Sequence, residues 1–440
     1  MHTPMIAAAS IALAAGVAMA AGHAQNRIDT ILPDAPALAA YGELKVGVRA
    51  LTMTNPGQVD ILSINPEGEK PDPLPSYDRE LAVEVWYPAV ADATGDTAQK
   101  TFLRNGKTEI TIHGQAMRDA APALGKWPLV IVSHGYPGNR FLMSHLAENI
   151  ASKGYVVASI DHRDSTYRDQ SAFGSTLVNR SLDQLFVLDQ MAALGAGDGF
   201  LGNRVDAETA ALIGYSMGGY GAVITAGGGV TEIGVGHSWG APHGTLAVHQ
   251  SGTESHNALP DARIKTAIAF APWGYNAAFW NAETLKGVQI PMLFVAGSVD
   301  DVSGYDPGVR SIWREATGVD RALLTYDNAN HNAGAPMPPP QEGREVDPDL
   351  GWAPYEHYAD AVWSNERMNN IAQHFVTAWL DQHLKGDAEA AGYLDLVPNS
   401  NDGVWKANDD GSFAEEHSYW KGFPNRSAKG LRYEVLKAGE

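Results

Sequence analysis

The sequence contains no cysteine, which excludes disulfide bonds, thiolate metal ligands and a cysteine nucleophile. Basic residues are also few, because 31 lysines and arginines stand against 51 aspartates and glutamates, and the formal net charge is −20. An acidic surface repels phosphate at long range, so nucleic acid and anionic membrane surfaces are poor partners. A neutral small molecule suits this charge better.

The N-terminal region contains no aspartate, glutamate, lysine or arginine over residues 1–24. An apolar run at 6–20 leads to small-x-small sites at 18–20 and 22–24, the pattern of a secretory signal peptide without its usual lysine or arginine. The alternative is a short buried helix. No later run is apolar and long enough to span a bilayer, so we expect an exported protein, periplasmic or secreted, without an integral membrane segment.

Short apolar runs alternate with helical patterns from about residue 127 onwards. This alternation predicts an α/β fold in which a mostly parallel central sheet carries helices on both faces. The predicted parallel strands are 128–134, 155–161, 209–214, 265–271, 291–297 and 321–327, and the predicted amphipathic helices are 142–150, 179–194 and 365–386. Two upstream segments, 43–53 and 81–89, look like antiparallel strands that begin the sheet.

Two regions interrupt this rhythm, and we expect both to border the functional site. Residues 227–262 are rich in glycine and histidine and lack periodicity, which indicates an insertion. Residues 334–354 include PMPPPQEG, whose prolines exclude a helix. The chain then divides into a signal peptide at 1–24, a catalytic domain at 25–386 and an extension at 387–440 that packs on the main domain.

Four histidines of the insertion suggest a metal site: His237, His243, His249 and His256. Their spacing of six or seven residues matches no recognised ligand pattern. The sequence therefore predicts neither a bound metal nor a cofactor.

The pattern G-x-S-x-G, typical of a serine nucleophile on a sharp strand-to-helix turn, occurs twice. Ser216 follows a predicted strand and precedes a glycine-rich helical stretch, as such a turn requires. Ser238 follows a stretch too rich in glycine for a buried strand, and Pro242 stands where the helix should be running. We expect Ser216 to be the nucleophile.

Serine becomes a good nucleophile when a histidine takes its proton and an acid orients that histidine. Asp300 follows the predicted strand 291–297, and His331 lies in the loop after the last parallel strand. Both should therefore lie at the carboxyl edge of the sheet, near Ser216. Asp301 is the alternative acid.

An oxyanion that forms at this site needs two fixed N–H donors. We expect one from the backbone amide of Met217, which directly follows the nucleophile. The other should be the amide of Tyr136, in the loop after the first parallel strand. His134 in the same loop is expected to be structural rather than catalytic.

Several motifs together resemble the platelet-activating-factor acetylhydrolase and dienelactone-hydrolase-like branch of the α/β-hydrolases: VSHGYPGNR, DHRDST, GYSMGG and the acid and histidine loops, over about 81–386. The resemblance implies an α/β-hydrolase fold and a serine esterase for small or short-acyl esters, without metal or cofactor. One position departs from it. The acid of the acetylhydrolases follows the strand after the nucleophile helix, where this chain has Ala271, so Asp300 must act instead and a phospholipid substrate is in doubt.

A second resemblance is to polyester hydrolases and cutinases, through GY in the loop after the first parallel strand, SMGG at the nucleophile and PW after the next strand. It implies that Trp273 lines the substrate cleft, with a place in the core as the alternative. We also expect Tyr215 to contact the substrate.

The sequence thus predicts an exported serine hydrolase that cleaves small-molecule carboxylic esters through an acyl-enzyme, with polymeric esters as the alternative substrate. Two other functions are compatible with the same scaffold. One is a peptidase or amidase, and the other is a binding protein that has lost catalysis.

Overall fold

The computed structural model describes residues 25–171 and 173–440, so the predicted signal peptide lies outside the described residues. The strands of the described part are β1 Asn26–Arg27, β2 Lys45–Val59, β3 Ser76–Ala89, β4 Ala98–Phe102, β5 Glu109–His113, β6 Met117–Arg118, β7 Trp127–Ser133, β8 Val156–Asp161, β9 Val205–Tyr215, β10 Ile264–Phe270, β11 Met292–Gly297, β12 Arg321–Tyr326 and β13 Leu431–Leu436. The α-helices there are α1 Ser144–Ala151, α2 Phe173–Ala196, α3 Met217–Thr225, α4 Glu232–Val235, α5 Glu254–Asn257, α6 Ala282–Leu285, α7 Arg310–Glu315, α8 Asn365–Leu380 and α9 Ala388–Ala391. Among these helices, none combines the length and the apolar character that a membrane crossing needs.

A mostly parallel sheet runs through the molecule in the order β13-β12-β11-β10-β9-β7-β8-β3-β2-β6. The six strands from β12 to β8 in this order are mutually parallel. β3 and β2 add to one side as an antiparallel pair, and β13 closes the other side antiparallel to β12. This arrangement confirms the predicted sheet, including its two antiparallel strands at the start. The described part also contains a small three-stranded sheet, β1-β5-β4, which the sequence patterns did not predict.

Hydrophobic cores lie on both faces of the main sheet, as the near-continuous apolar strands require. In β7, Val130 and Val132 face the core that includes α1 and α8, whereas Leu129 and Ile131 face the core that includes α2, α3 and α7. All four side chains are at most 1% exposed. Because both faces are covered, the carboxyl ends of the parallel strands provide the edge at which polar side chains can collect.

The insertion at 227–262 contains more local order than its composition indicated. Two single-turn helices, α4 and α5, flank a 3₁₀ segment at Pro242–His249. Thr231 and Thr253 cap the short helices through their side-chain oxygens, which accept the amides of Gly234 and His256. Capping residues therefore set these turns, although no apolar periodicity marks them.

The C-terminal extension contributes directly to the sheet through β13. Tyr433 pairs with Leu324 of β12, is 2% exposed, and stacks on Phe375 of α8 with ring centroids 5.1 Å apart. Val435 points to the same face two residues later but is 46% exposed. The extension thus packs into the same core as α8 at Tyr433, and it is no longer part of that core at Val435.

Replacing Tyr433 with alanine should lower the free energy of unfolding by about 3 kcal/mol, because a buried aromatic ring is lost and a cavity remains. Val435→Ala on the same strand should change it by less than about 0.5 kcal/mol. Urea unfolding followed by fluorescence measures both. Equal small effects would contradict the role assigned to β13.

Candidate active site

Ser216 lies on a strained turn between β9 and α3. Its backbone has φ 53° and ψ −111°, a left-handed conformation that costs a non-glycine residue about 1–3 kcal/mol. Two hydrogen bonds hold it: the Ser216 amide donates to Phe270 O at 2.8 Å, and the Trp273 amide donates to Ser216 O at 3.2 Å. The turn is therefore fixed by β10 and by the segment that follows it.

Gly218 allows α3 to approach the end of β7 closely. A Cβ atom at this position would lie 1.9 Å from the carbonyl oxygen of Ser133, so no other residue fits. This contact brings the loop that follows β7 beside Ser216. Gly135 of that loop would place a Cβ atom 3.3 Å from the Cβ of Ser216.

The structure brings Ser216, His331 and Asp300 into one chain of hydrogen bonds. Ser216 Oγ lies 3.0 Å from His331 Nε2, and His331 Nδ1 lies 3.1 and 3.0 Å from the two carboxylate oxygens of Asp300. Asp300 is 5% exposed, and its Oδ1 also accepts the amides of Val302 and Ser303 at 2.9 and 2.8 Å. These amides fix the carboxylate so that it faces the ring.

The two competing residues, Asp301 and Ser238, take no part in this chain of hydrogen bonds. The side chain of Asp301 is exposed, and only its amide is engaged, donating to Asn330 Oδ1 at 3.0 Å. Asn330 Oδ1 also accepts the amide of His331, which joins the acid loop to the histidine loop. Ser238 lies in an exposed turn that no strand precedes.

The amides of Tyr136 and Met217 are available at this site. Within residues 25–171 and 173–440, neither N–H donates to a protein acceptor. Met217 is the first residue of α3, where helix geometry leaves the amide without an internal partner. Tyr136 lines the same cleft as Ser216 and His331.

The cleft above Ser216 has a volume of about 870 Å³. The segment 352–361 supplies much of its wall, including Trp352, Tyr355 and His357. This wall continues the proline-rich region, and sequence analysis named none of its side chains. Within the described chain, no residue of the insertion 227–262 lines the cleft.

Tyr215 and Trp273 occupy different surroundings. Tyr215 lines the cleft but is only 3% exposed, because its ring packs against His331 with centroids 5.2 Å apart and its hydroxyl donates to Asn332 Oδ1. Burial, and then the charge of Asp300, raise the pKa of Tyr215. Trp273 lies outside the cleft lining and packs among Phe173, Trp239 and Phe279.

The histidines of the insertion do not converge on a common point. Each places Nε2 on a backbone carbonyl: His237 on Ala277, His243 on Asn65, His249 on Val178 and His256 on Gly227, at 2.7 to 3.1 Å. Burial lowers the pKa of His249 to about 4. Nowhere in the described ranges do three histidine or carboxylate side chains group as a metal site would require.

A second Ser–His–Asp chain lies beneath the loop after β7. Ser133 Oγ lies 2.8 Å from His162 Nε2, and His162 Nδ1 lies 2.8 Å from Asp183 Oδ2. All three residues are 1% exposed. Burial lowers the pKa of His162 to about 3, and although burial alone would raise the pKa of Asp183, Arg79 and His162 hold it at about 2. This group has no access to solvent and therefore supports the fold.

Comparison with known proteins agrees with this architecture. The family model "Platelet-activating factor acetylhydrolase, isoform II" matches residues 89–185. Cutinase est1 of Thermobifida alba is 27% identical over 208 residues, which cover 46% of this chain and 53% of the cutinase. A platelet-activating factor acetylhydrolase of Bos taurus is 45% identical over 53 residues, 11% of this chain and 12% of that protein. The chain thus spans about half the length of the cutinase.

A solved structure described as a ferulic acid esterase from Streptomyces cinnamoneus superposes with a TM-score of 0.52 at 20% identity, covering 83% of this chain and 94% of that one. At this identity the likeness shows the fold. The chain therefore has an α/β-hydrolase fold, and its sequence resembles both the acetylhydrolases and the cutinases.

A fluorophosphonate probe should label the wild-type chain at Ser216, because a serine hydrogen-bonded to a histidine attacks phosphorus readily. Ser216→Ala should abolish the labelling, and Ser238→Ala should leave it unchanged. In-gel fluorescence and peptide mapping identify the modified serine. Labelling that persists in Ser216→Ala would show that another residue is the nucleophile.

Asp300→Asn should slow this labelling by roughly 10³- to 10⁴-fold, because an amide favours the wrong tautomer of His331. Asp301→Asn removes the same charge from the exposed neighbour and should leave the rate within about three-fold of wild type. Time-resolved labelling gives both rates. The reverse ranking would assign the acid to Asp301.

Proposed function

We propose that this chain is an exported serine hydrolase that cleaves carboxylic esters through an acyl-enzyme. The hydrogen-bonded chain from Ser216 through His331 to Asp300 carries the proposal, with its distances of 3.0, 3.1 and 3.0 Å. The names of the cutinase and esterase relatives agree with an ester as substrate. Export rests on the apolar N-terminal pattern.

In the acylation step, Ser216 Oγ attacks the ester carbonyl carbon while its proton passes to His331 Nε2. The carbonyl oxygen becomes an oxyanion and accepts hydrogen bonds from the amides of Tyr136 and Met217. Asp300 accepts a hydrogen bond from Nδ1–H and stabilises the imidazolium. Collapse of the intermediate breaks the C–O bond, and His331 gives the proton to the departing alcohol.

Water completes the cycle. His331 Nε2 takes a proton from a water molecule, whose oxygen attacks the acyl carbon of the ester on Ser216. The same amides hold the second oxyanion. The carboxylic acid leaves, and Ser216 Oγ recovers its proton from His331.

The preferred substrates in this proposal are small, uncharged, short-acyl esters. The short acyl group follows the resemblance to proteins named acetylhydrolases. Asp301, Glu356 and Asp360 line the cleft, so an anionic ester meets like charges there. This charge disfavours a phospholipid. We propose that Tyr215 orients His331 and borders the substrate, and that Trp273 contributes apolar surface near the nucleophile.

Polyesters are a second candidate substrate, and an aromatic surface near Ser216 favours them. Trp239 of the insertion is 49% exposed, stacks on His237 at 4.6 Å, and lies 6.2 Å from both Phe173 and Trp273. An exposed aromatic ring that continues into a cluster of aromatic side chains fits an extended apolar chain better than a single small ester. The likeness to cutinases points the same way.

A panel of p-nitrophenyl esters separates these functions. We expect kcat/KM to fall from butyrate to palmitate, and turnover of the matched anilide to be at least about 100-fold slower, since an amide nitrogen is harder to expel. The anionic hemisuccinate ester should react about 10-fold more slowly than the butyrate. A polyester film is the separate arm for polymer hydrolysis.

Ser216→Ala serves as the control and should lose all ester turnover above background. Anilide turnover that exceeds ester turnover would identify an amidase instead. Film hydrolysis that stops in Trp239→Ala, while butyrate hydrolysis continues, would assign the polymer as substrate. Absence of any Ser216-dependent turnover would favour the non-catalytic binding protein.

A further inference from the structure

The peptide group between Gly135 and Tyr136 accepts hydrogen bonds from two buried side chains. Arg180 Nη2 donates to the carbonyl oxygen of Gly135 at 2.9 Å, and His134 Nδ1 donates to the same oxygen at 2.7 Å. Arg180 Nη1 also donates to the carbonyl oxygen of His134. Both donating residues are 1% exposed.

The carbonyl of Gly135 and the amide of Tyr136 belong to the same planar group. In a trans peptide the C=O and N–H bonds point in opposite directions, so fixing the oxygen fixes the direction of the N–H. Arg180 extends from α2 and His134 is the first residue of the loop, and both side chains are buried. The Tyr136 N–H is thereby directed away from them, and it has no protein acceptor among the described residues.

We infer that Arg180 and His134 are positioning residues that aim the Tyr136 amide at the oxyanion, an inference that rests on the proposed function. Neither side chain touches the substrate. They act through the Gly135 carbonyl.

The hydrogen bonds of His134 fix its tautomer. Nδ1 must carry the proton because it donates to a carbonyl, and Nε2 accepts the amide of His162 at 3.2 Å. Burial, reinforced by the charge of Arg180, keeps the pKa of His134 well below its ordinary value. The ring therefore stays neutral at neutral pH, with both nitrogens engaged.

Arg180 is placed as a donor to neutral oxygens rather than as half of an ion pair. Its remaining contact is Ser165 Oγ at 2.8 Å, and within the described chain no carboxylate lies within ion-pairing distance of it. Burial lowers the pKa of Arg180 to about 9, which leaves it cationic at neutral pH. A cation beside the carbonyl oxygen also polarises the peptide group. The N–H at its other end then becomes a stronger hydrogen-bond donor.

The group of Arg79, His162 and Asp183 supports this arrangement from below. Arg79 binds both oxygens of Asp183 at 2.8 and 2.9 Å, and Asp183 in turn accepts from His162. The His162 ring packs edge-on against His134, with centroids 5.2 Å apart. The loop is thus braced by α2 and by the turn that follows β8.

The test measures kcat and KM separately on the full chain for Arg180→Lys and His134→Phe, with p-nitrophenyl butyrate as substrate. Lysine keeps the charge but cannot hold two carbonyls, so kcat should fall about 10- to 100-fold while KM stays within about three-fold. His134→Phe keeps the ring volume and should lower kcat by about 10-fold. Affinity for a boronic acid, which forms a tetrahedral adduct on Ser216, should fall in parallel with kcat/KM.

Ser165→Ala is the matched control, because it removes another buried hydrogen bond of Arg180 without touching the Gly135 carbonyl. It should keep kcat within about three-fold of wild type. The double variant Arg180→Lys/His134→Phe should lose less than the product of the single losses, since both residues hold one oxygen.

Unchanged kcat in both single variants would overturn the inference, and so would an equal loss in Ser165→Ala or a rise in KM alone. If Arg180→Lys fails to fold, the boronic acid affinity of His134→Phe decides. A failure of the proposed function looks different, because the wild-type chain itself would then lack Ser216-dependent turnover.

Discussion

The strained backbone of Ser216 is the constraint on which the rest of the site depends. Its left-handed conformation presents Oγ above the sheet and at the same time starts α3, whose first amide is then free to donate. The conformation persists because the hydrogen bond to β10 and the contact of Gly218 with Ser133 leave the turn no room to relax. β7, β10 and α3 thus all contribute contacts that hold this turn at the end of β9.

Two Ser–His–Asp chains with nearly equal distances lie in this fold, and their surroundings separate them. In one, Ser216 and His331 open onto a cleft, and the acid lies behind them. In the other, Ser133 and His162 are buried away from solvent, and Asp183 is already bound by Arg79. A hydrogen-bonded serine, histidine and aspartate alone therefore do not identify a reactive site. Access to a cleft and free N–H donors beside the serine are also needed.

Apolar patterns predicted the strands well, because strands buried on both faces leave a clear signal. The predicted 291–297 and 321–327 differ from β11 and β12 by one residue at one end. The sequence predicted that Ser216, His331 and Asp300 lie close together, because each of them follows a strand. Their catalytic roles stay a prediction. The wall at 352–361 had no such signal, since its coil is shaped by tertiary contacts. Arg180 was missed for another reason: polar residues of an amphipathic helix are expected to face water, yet this part of α2 is buried.

The buried histidines tie the fold to the acidity of its surroundings. His162 and His249 are neutral in the folded chain, with burial lowering their pKa values to about 3 and about 4, whereas an unfolded histidine has a pKa of about 6.5. Between these values the unfolded chain binds more protons, so stability is lost as pH falls below about 6.5, by up to about 1.4 kcal/mol per pH unit for each ring. Acidification therefore drives protons onto rings that the folded chain keeps neutral, and the unfolded state becomes more populated.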